Sequence, residues 1–276
     1  VTLSRARRSL LAAAVLATLV ALPSGARADF ATTNLQVLQG WYFYDPSVGS
    51  DVKGGAMSTI TLNHFDTWKY GDNFAFVDLM QGQFTDGTNS HLYAELHPRL
   101  FLNRLAGAKG TVLGIFRDAG LAGELNLGNG FQAWLGGLGV DFALPFPGTV
   151  SLNVYYRYTA LQLPAIPARP FNIRSYDDTW QVSPSWVIPF SIATVPFLFT
   201  GFVDVDGVKQ LDGARGVEVM AQPELLVDVL GAAGGAKNTI LVGVEWYLHH
   251  HPDNRTLGAP SNLISAPQAL LQWNLH

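Results

Sequence analysis

Strict alternation of side-chain character is the feature that most limits what this chain can fold into. In Val217 to Asp228 one face carries Val217, Val219, Ala221, Pro223, Leu225 and Val227, and the other Glu218, Met220, Gln222, Glu224, Leu226 and Asp228. Ile240 to His249 sets Ile240, Val242, Val244, Trp246 and Leu248 against Leu241, Gly243, Glu245, Tyr247 and His249. Val150 to Tyr158 and His91 to His97 repeat the scheme. Successive side chains of a strand point to opposite sides, so each segment has one uncharged face and one polar face. Further strands are expected near 34–44, 57–68, 73–84, 111–127, 131–142, 178–188, 196–205 and 268–275, which brings the total to twelve. Gly114, Gly120 and Gly123 mark bulges or a break in 111–127, and Pro184 and Pro223 call for bulges beside them.

The first 28 residues are of another kind. Arg5, Arg7 and Arg8 precede the apolar run Leu10 to Leu22, then Pro23-Ser24-Gly25, then Ala26-Arg27-Ala28. That is a cleavable secretory signal, with cleavage expected before Asp29. It holds four of the 17 basic residues and no acid, leaving 13 against 21 and a formal charge of −8. Such a balance argues against nucleic acid as a partner. No cysteine is present, so no disulfide staples the fold. Beyond residue 28 no apolar run reaches the ~20 residues of a spanning helix. A membrane form of this chain is therefore a closed barrel, because only helices and barrels satisfy their backbone in lipid. An even strand number suits a bacterial outer membrane. The expected fold is all-β: a transmembrane antiparallel up-and-down barrel over 29–276, after a signal peptide over 1–28. Long connections at 45–56, 160–177 and 250–267 would be extracellular, with short turns such as Lys69-Tyr70-Gly71-Asp72 opposite them. Trp41, Tyr42, Trp68, Tyr70, Tyr156, Tyr158, Trp246 and Trp273 fall where interfacial girdles would lie. A soluble lipocalin-like barrel is the rival fold, since alternation alone does not distinguish lipid from core.

The stretch Thr61 to Asp78, with His64-Phe65, Trp68-Lys69-Tyr70-Gly71-Asp72-Asn73-Phe74, Phe76 and Asp78, resembles the second and third strands of the nucleoside-specific channel-forming (Tsx-like) outer-membrane proteins. Glu95 with Pro98-Arg99-Leu100, Leu138 to Asp141, Leu152 to Arg157, Gln222-Pro223-Glu224, Val242 to Trp246 and Pro267-Gln268 follow in the same order. The resemblance spans essentially all of 29–276. It implies a monomeric twelve-stranded barrel in a Gram-negative outer membrane, admitting nucleosides and deoxynucleosides to the periplasm by passive diffusion.

A nucleoside is a flat base on a hydrogen-bonding sugar, so a selective bore needs aromatic planes and polar partners. Stacking contributes about 1–3 kcal/mol per base. The polar faces offer Phe74, Phe76, Tyr93, Tyr155 and Tyr247 for stacking, and Asn153, Gln222, Glu224 and Glu245 for the sugar. Asp78, Glu95 and Arg157 are expected to pair as salt bridges that fill the lumen. His249-His250-His251 invites a metal reading, but it opens a polar loop and is expected to be solvated; no metal or cofactor is expected. Nothing resembles a Gly-x-Ser-x-Gly elbow or another nucleophile setting, so an enzyme such as an outer-membrane lipid hydrolase is the weaker rival. A pore for small sugars is the other alternative.

Overall fold

A computed structural model describes residues 28–108, 110–163, 165 and 172–275. Residues 1–27 of the expected leader lie outside the described residues. The strands are β1 (Phe30–Gly40), β2 (Met57–Trp68), β3 (Gly71–Gln81), β4 (Ser90–Phe101), β5 (Phe116–Gly128), β6 (Phe131–Phe142), β7 (Thr149–Leu163), β8 (Ile173–Ile192), β9 (Val195–Lys209), β10 (Arg215–Ala221), β11 (Glu224–Asp228), β12 (Ile240–His250) and β13 (Leu263–Leu275). Neighbours pair antiparallel, and β13 returns to β1 from Thr33↔Leu275 to Gly40↔Gln268, closing the barrel. Strands β10 and β11 both lie between β9 and β12. Arg215↔Lys209 and Glu224↔Thr200 are steps of one register, as are Val219↔His250 and Glu224↔Glu245. They form one crossing interrupted at Gln222-Pro223, so the described residues make the twelve crossings that alternation predicts.

The bulges expected at Pro184 and Pro223 are absent. Register runs unbroken through Leu152↔Pro184, and the β8–β9 pairing keeps step from Val182↔Val205 to Ser185↔Phe202. Proline removes a ladder donor without adding a residue. At Pro223 the adjustment is made on the neighbouring strand. Gly201 there has φ +142°, and a Cβ on it would lie 2.4 Å from the Gln222 carbonyl oxygen. The expected strand 111–127 is shortened: Leu113 and Gly114 both take positive φ, a turn forms, and β5 begins at Phe116 with an irregularity before Asp118. The long loop expected at 160–177 is mostly strand, because the alternation of β7 continues to Leu163 and β8 starts at Ile173. Likewise β1 and β13 begin earlier than expected, at Phe30 and Leu263.

One end of the barrel, here the loop end, carries connections 41–56, 82–89, 129–130, 210–214 and 251–262, with the end of β7 and the start of β8. The other, the terminal end, holds residues 28 and 275 and connections 69–70, 102–115, 143–148, 193–194 and 229–239. The outer face is a belt of exposed apolar side chains. Leu121, Leu138, Val154, Val244 and Leu271 are each 45–62% exposed, which in water would be an extensive unpartnered patch. Exposed Trp134, Tyr156, Tyr158, Trp180 and Trp246 lie toward the loop end, and Phe190 and Trp273 toward the terminal end. Among the described residues no helix is long and apolar enough to cross a membrane.

Candidate functional site

The polar faces of the alternating strands turn inward around one cavity of about 1960 Å³. Its lining runs from Phe30 and Arg104 near the terminal end to Ser50 and Leu211 near the loop end. Ordinary small-molecule sites occupy about 300–1,000 Å³, so a solute and its water fit together. The interior divides into three zones.

Near the terminal end, ion pairs lock the strands together. Arg99 on β4 donates from Nε and Nη2 to both oxygens of Asp72, 2.7 Å each, and from Nη1 to Asp141 Oδ1 at 2.7 Å. Asp141 also accepts from Arg117 Nη2 at 2.9 Å and Ser151 Oγ at 2.6 Å. Arg104 on the helical turn Leu102–Leu105 donates to Asp118 Oδ2 at 2.8 Å. Both Arg99 and Arg104 lie over the Phe101 ring. Bidentate geometry of this kind fixes both partners. Sequence reasoning assigned no role to these residues. Asp72, Arg99 and Asp141 stood in the recognised stretches, but only the register shows that they meet.

The middle zone has two unlike walls. On β3, β4 and β6 a row of rings runs Phe74–Phe76 (5.9 Å between centroids), Phe76–Tyr93 (5.9 Å) and Tyr93–Phe131 (6.3 Å). Tyr93 Oη donates to Glu95 Oε1 at 2.5 Å, and His97 Nε2 lies 2.7 Å from Glu95 Oε2. The other wall belongs to β1, β11, β12 and β13. There Gln36 Nε2 donates to Glu224 at 3.3 Å, and Gln222 and Gln268 donate to Glu245 Oε1 at 3.2 and 2.5 Å. In the closed order β4 and the β10–β11 crossing are six places apart, the largest separation that twelve allow. A ring-bearing wall thus looks across the bore at carboxylates and amides.

Near the loop end the connection 41–56 folds into the mouth. Phe43 and Val52 from it pack with Met57, Phe84, Tyr247, Ile264 and Ala266. Asp45, 0% exposed, accepts from Tyr247 Oη at 2.8 Å and Ser47 Oγ at 3.0 Å, and lies 2.6 Å from His249 Nδ1. His249 Nε2 is 2.6 Å from Glu218 Oε1. The solvated loop expected for His249-His250-His251 is therefore corrected: His249 is the buried end of β12 and His251 is also buried, because carboxylates of the folded-in loop and of β10 meet the first ring. Just outside the strands, burial pushes the Asp51 carboxyl above its ordinary value; the Thr85 hydroxyl opposes this and Asp45 reinforces it. Burial, together with neighbouring His249, holds His251 below the ordinary histidine value against the pull of Glu218.

All twelve residues expected in the bore face inward, but not alike. Phe74, Phe76 and Tyr93 come together, and Gln222, Glu224 and Glu245 come together. Tyr247 belongs to the loop-end cluster. Asn153 borders the cavity, with its Oδ1 against Gly139. Tyr155 packs among Ala122, Ala133 and Leu135 in the wall and does not border the cavity. Of the expected salt bridges, Arg157 pairs with Asp206 at 3.1 Å and Glu95 with His97 at 2.7 Å. Asp78 instead accepts from the Thr61 hydroxyl at 2.5 Å, with no cation at ion-pair distance among the described residues. Phe131 was missed because it begins its strand, beyond the clear alternation.

No family model matches the chain, and no curated protein matches it. Among solved structures it is similar to the KdgM porin, at 8% identity and a TM-score of 0.43, over 90% of this chain and 100% of that one. It is also similar to Pseudomonas aeruginosa OccK5 (OpdH), at 9% identity and 0.32, over 89% and 97%. A third is the translocator domain of autotransporter NalP from Neisseria meningitidis, at 10% and 0.34, over 98% and 96%.

Proposed function

We propose that this chain is an outer-membrane channel through which nucleosides and deoxynucleosides diffuse passively into the periplasm. The observation that carries the reading is the pairing of unlike walls: Phe74, Phe76, Tyr93 and Phe131 across the cavity from Glu224, Glu245 and their glutamine partners. A base has a face for the rings, and ribose hydroxyls donate to carboxylates. The apolar outer belt with its flanking tryptophans and tyrosines supports insertion in lipid. The resemblance of Thr61 to Asp78 to nucleoside channels points the same way. Binding in such a bore is weak, since a conductor must release what it admits.

Planar-bilayer conductance tests the proposal. Nucleosides should reduce ion current through the purified protein at concentrations where small sugars leave it unchanged. Equal block by sugars would replace the reading with a sugar pore, and a protein that stays folded and monodisperse without detergent would remove the membrane altogether.

A further inference from the structure

We propose a divalent transition-metal site on the bore wall, formed by Glu95, His97, Glu124 and Asn126. Register places these four at the corners of a square. Glu95 on β4 is directly opposite Asn126 on β5. The same register, carried by Leu96↔Leu125 and Arg99↔Ala122, puts His97 opposite Glu124. All four lie on the inward face, and their strands are part of a closed sheet that holds them in place.

The ligand atoms of Glu95, His97 and Glu124 lie within 4.8 Å of one another. His97 Nε2 is 2.7 Å from Glu95 Oε2, and its Nδ1 is 3.4 Å from Glu124 Oε2. Metal–ligand bonds of about 2.0–2.2 Å place tetrahedral donors roughly 3.4 Å apart. Closing on an ion therefore draws donors up to 4.8 Å apart closer together, and the Asn126 amide, whose Nδ2 faces Glu124, turns to present Oδ1.

An imidazole caught between two carboxylates would by itself be an ion triad. One observation goes beyond that. Asn126 Nδ2 donates to Glu124 Oε1 at 2.9 Å, yet its Oδ1 is buried and takes no hydrogen bond, in a residue only 4% exposed. Buried acceptors are seldom left in that state, and an amide oxygen is an ordinary ligand for a divalent ion. The nearby Arg157 guanidinium is committed to Gln181 at 2.6 Å and Asp206 at 3.1 Å, not to Glu124. Tyr93, which donates to Glu95, supplies the kind of outer hydrogen bond that orients metal ligands. One nitrogen with three oxygens suits an ion such as Zn²⁺ rather than Mg²⁺ or Ca²⁺, which take oxygen alone.

Calorimetric titration of the detergent-purified chain with Zn²⁺ tests this without reference to the transported solute. One ion per chain should bind, and His97→Gln and Glu124→Gln should each weaken binding at least tenfold, while His251→Asn leaves it unchanged. X-ray absorption of the Zn²⁺-loaded wild type should show a single imidazole in a shell otherwise of oxygen; this needs no variant and so covers any failure to fold. Absence of binding, undiminished binding by His97→Gln with barrel mobility intact, or a shell of two or more histidines would overturn the site.

Discussion

The two ends of the bore are both tied by ion pairs, but on different elements. At the terminal end Arg99 joins Asp72 of β3 to Asp141 of β6, so this network is made of strand residues. At the loop end a connection, 41–56, folds in: Asp45 meets Tyr247 and His249 of β12, Asp51 and Lys53 bond the 82–89 connection, and Phe43 and Val52 pack inside. The first spreads its hydrogen bonds over at least three strands. The second ties one connection to β12 and to the 82–89 connection.

The comparison breaks most visibly at Arg99. Replacing it by Leu strands Asp72 and Asp141 near the wall, and removal of one member of a buried pair costs about 3–5 kcal/mol. The Arg99→Leu variant should unfold from lipid vesicles at clearly lower urea. A variant as stable as the parent would show that the arginine network does not brace the barrel. Asp45→Asn should behave in the opposite way. It keeps the shape but loses charge-assisted bonds worth about 1.5–3 kcal/mol, and most of the loss falls on the loop rather than the barrel. Conductance should rise and fluctuate more, with global stability little changed. Unchanged conductance would mean that the folded-in loop does not limit the path.

What the sequence made legible follows the same division. Alternation with period two depends only on neighbouring residues, and it placed every candidate of the bore on the correct side, even across Pro223, where register holds. It likewise yielded the number of crossings. Quantities that depend on distant partners were illegible. Asp45 reads as one more polar loop residue because His249, which draws it inside, lies 204 positions away. Tyr155 alternates as a bore residue should, yet small Ala122 and Ala133 on neighbouring strands leave a recess that takes its ring. Pro223 suggested a bulge because the compensating Gly201 is on another strand and carries no sign of its role.

Between the two ends, the ring-bearing wall offers a finer test. Phe76→Ala and Tyr93→Ala each remove a stacking surface worth about 1–3 kcal/mol per base, or roughly 5- to 150-fold in the nucleoside concentration that half-blocks the current. Tyr93→Phe keeps the ring and loses only the bond to Glu95, so it should retain most of the block. Should Tyr93→Phe be as impaired as Tyr93→Ala, the hydroxyl rather than the ring would be the contact.

The smallest expected effect belongs to the mouth and separates it from the wall by pH. His251 lies just beyond β12, buried, with its Nδ1 accepting from the Asp253 backbone N–H at 3.1 Å, an arrangement open only to the unprotonated nitrogen. Burial and His249 lower its pKa in the folded loop. A folded value below the unfolded one means that the unfolded loop takes up the proton first. The contribution is whole above the ordinary histidine value of 6.5 and is lost as pH falls through the lowered one. Acidification from neutral pH should therefore loosen 251–262, whose amides at His251, Asn254 and Leu257 bond within the loop. Hydrogen exchange, corrected for intrinsic rates, should show protection there falling with pH while β4 and β5 stay protected. His251→Asn keeps a side-chain acceptor for the same backbone turn and does not titrate, so it should flatten the dependence. An equal loss of protection in that variant would assign the acid response to another group and leave the mouth no more pH-sensitive than the wall.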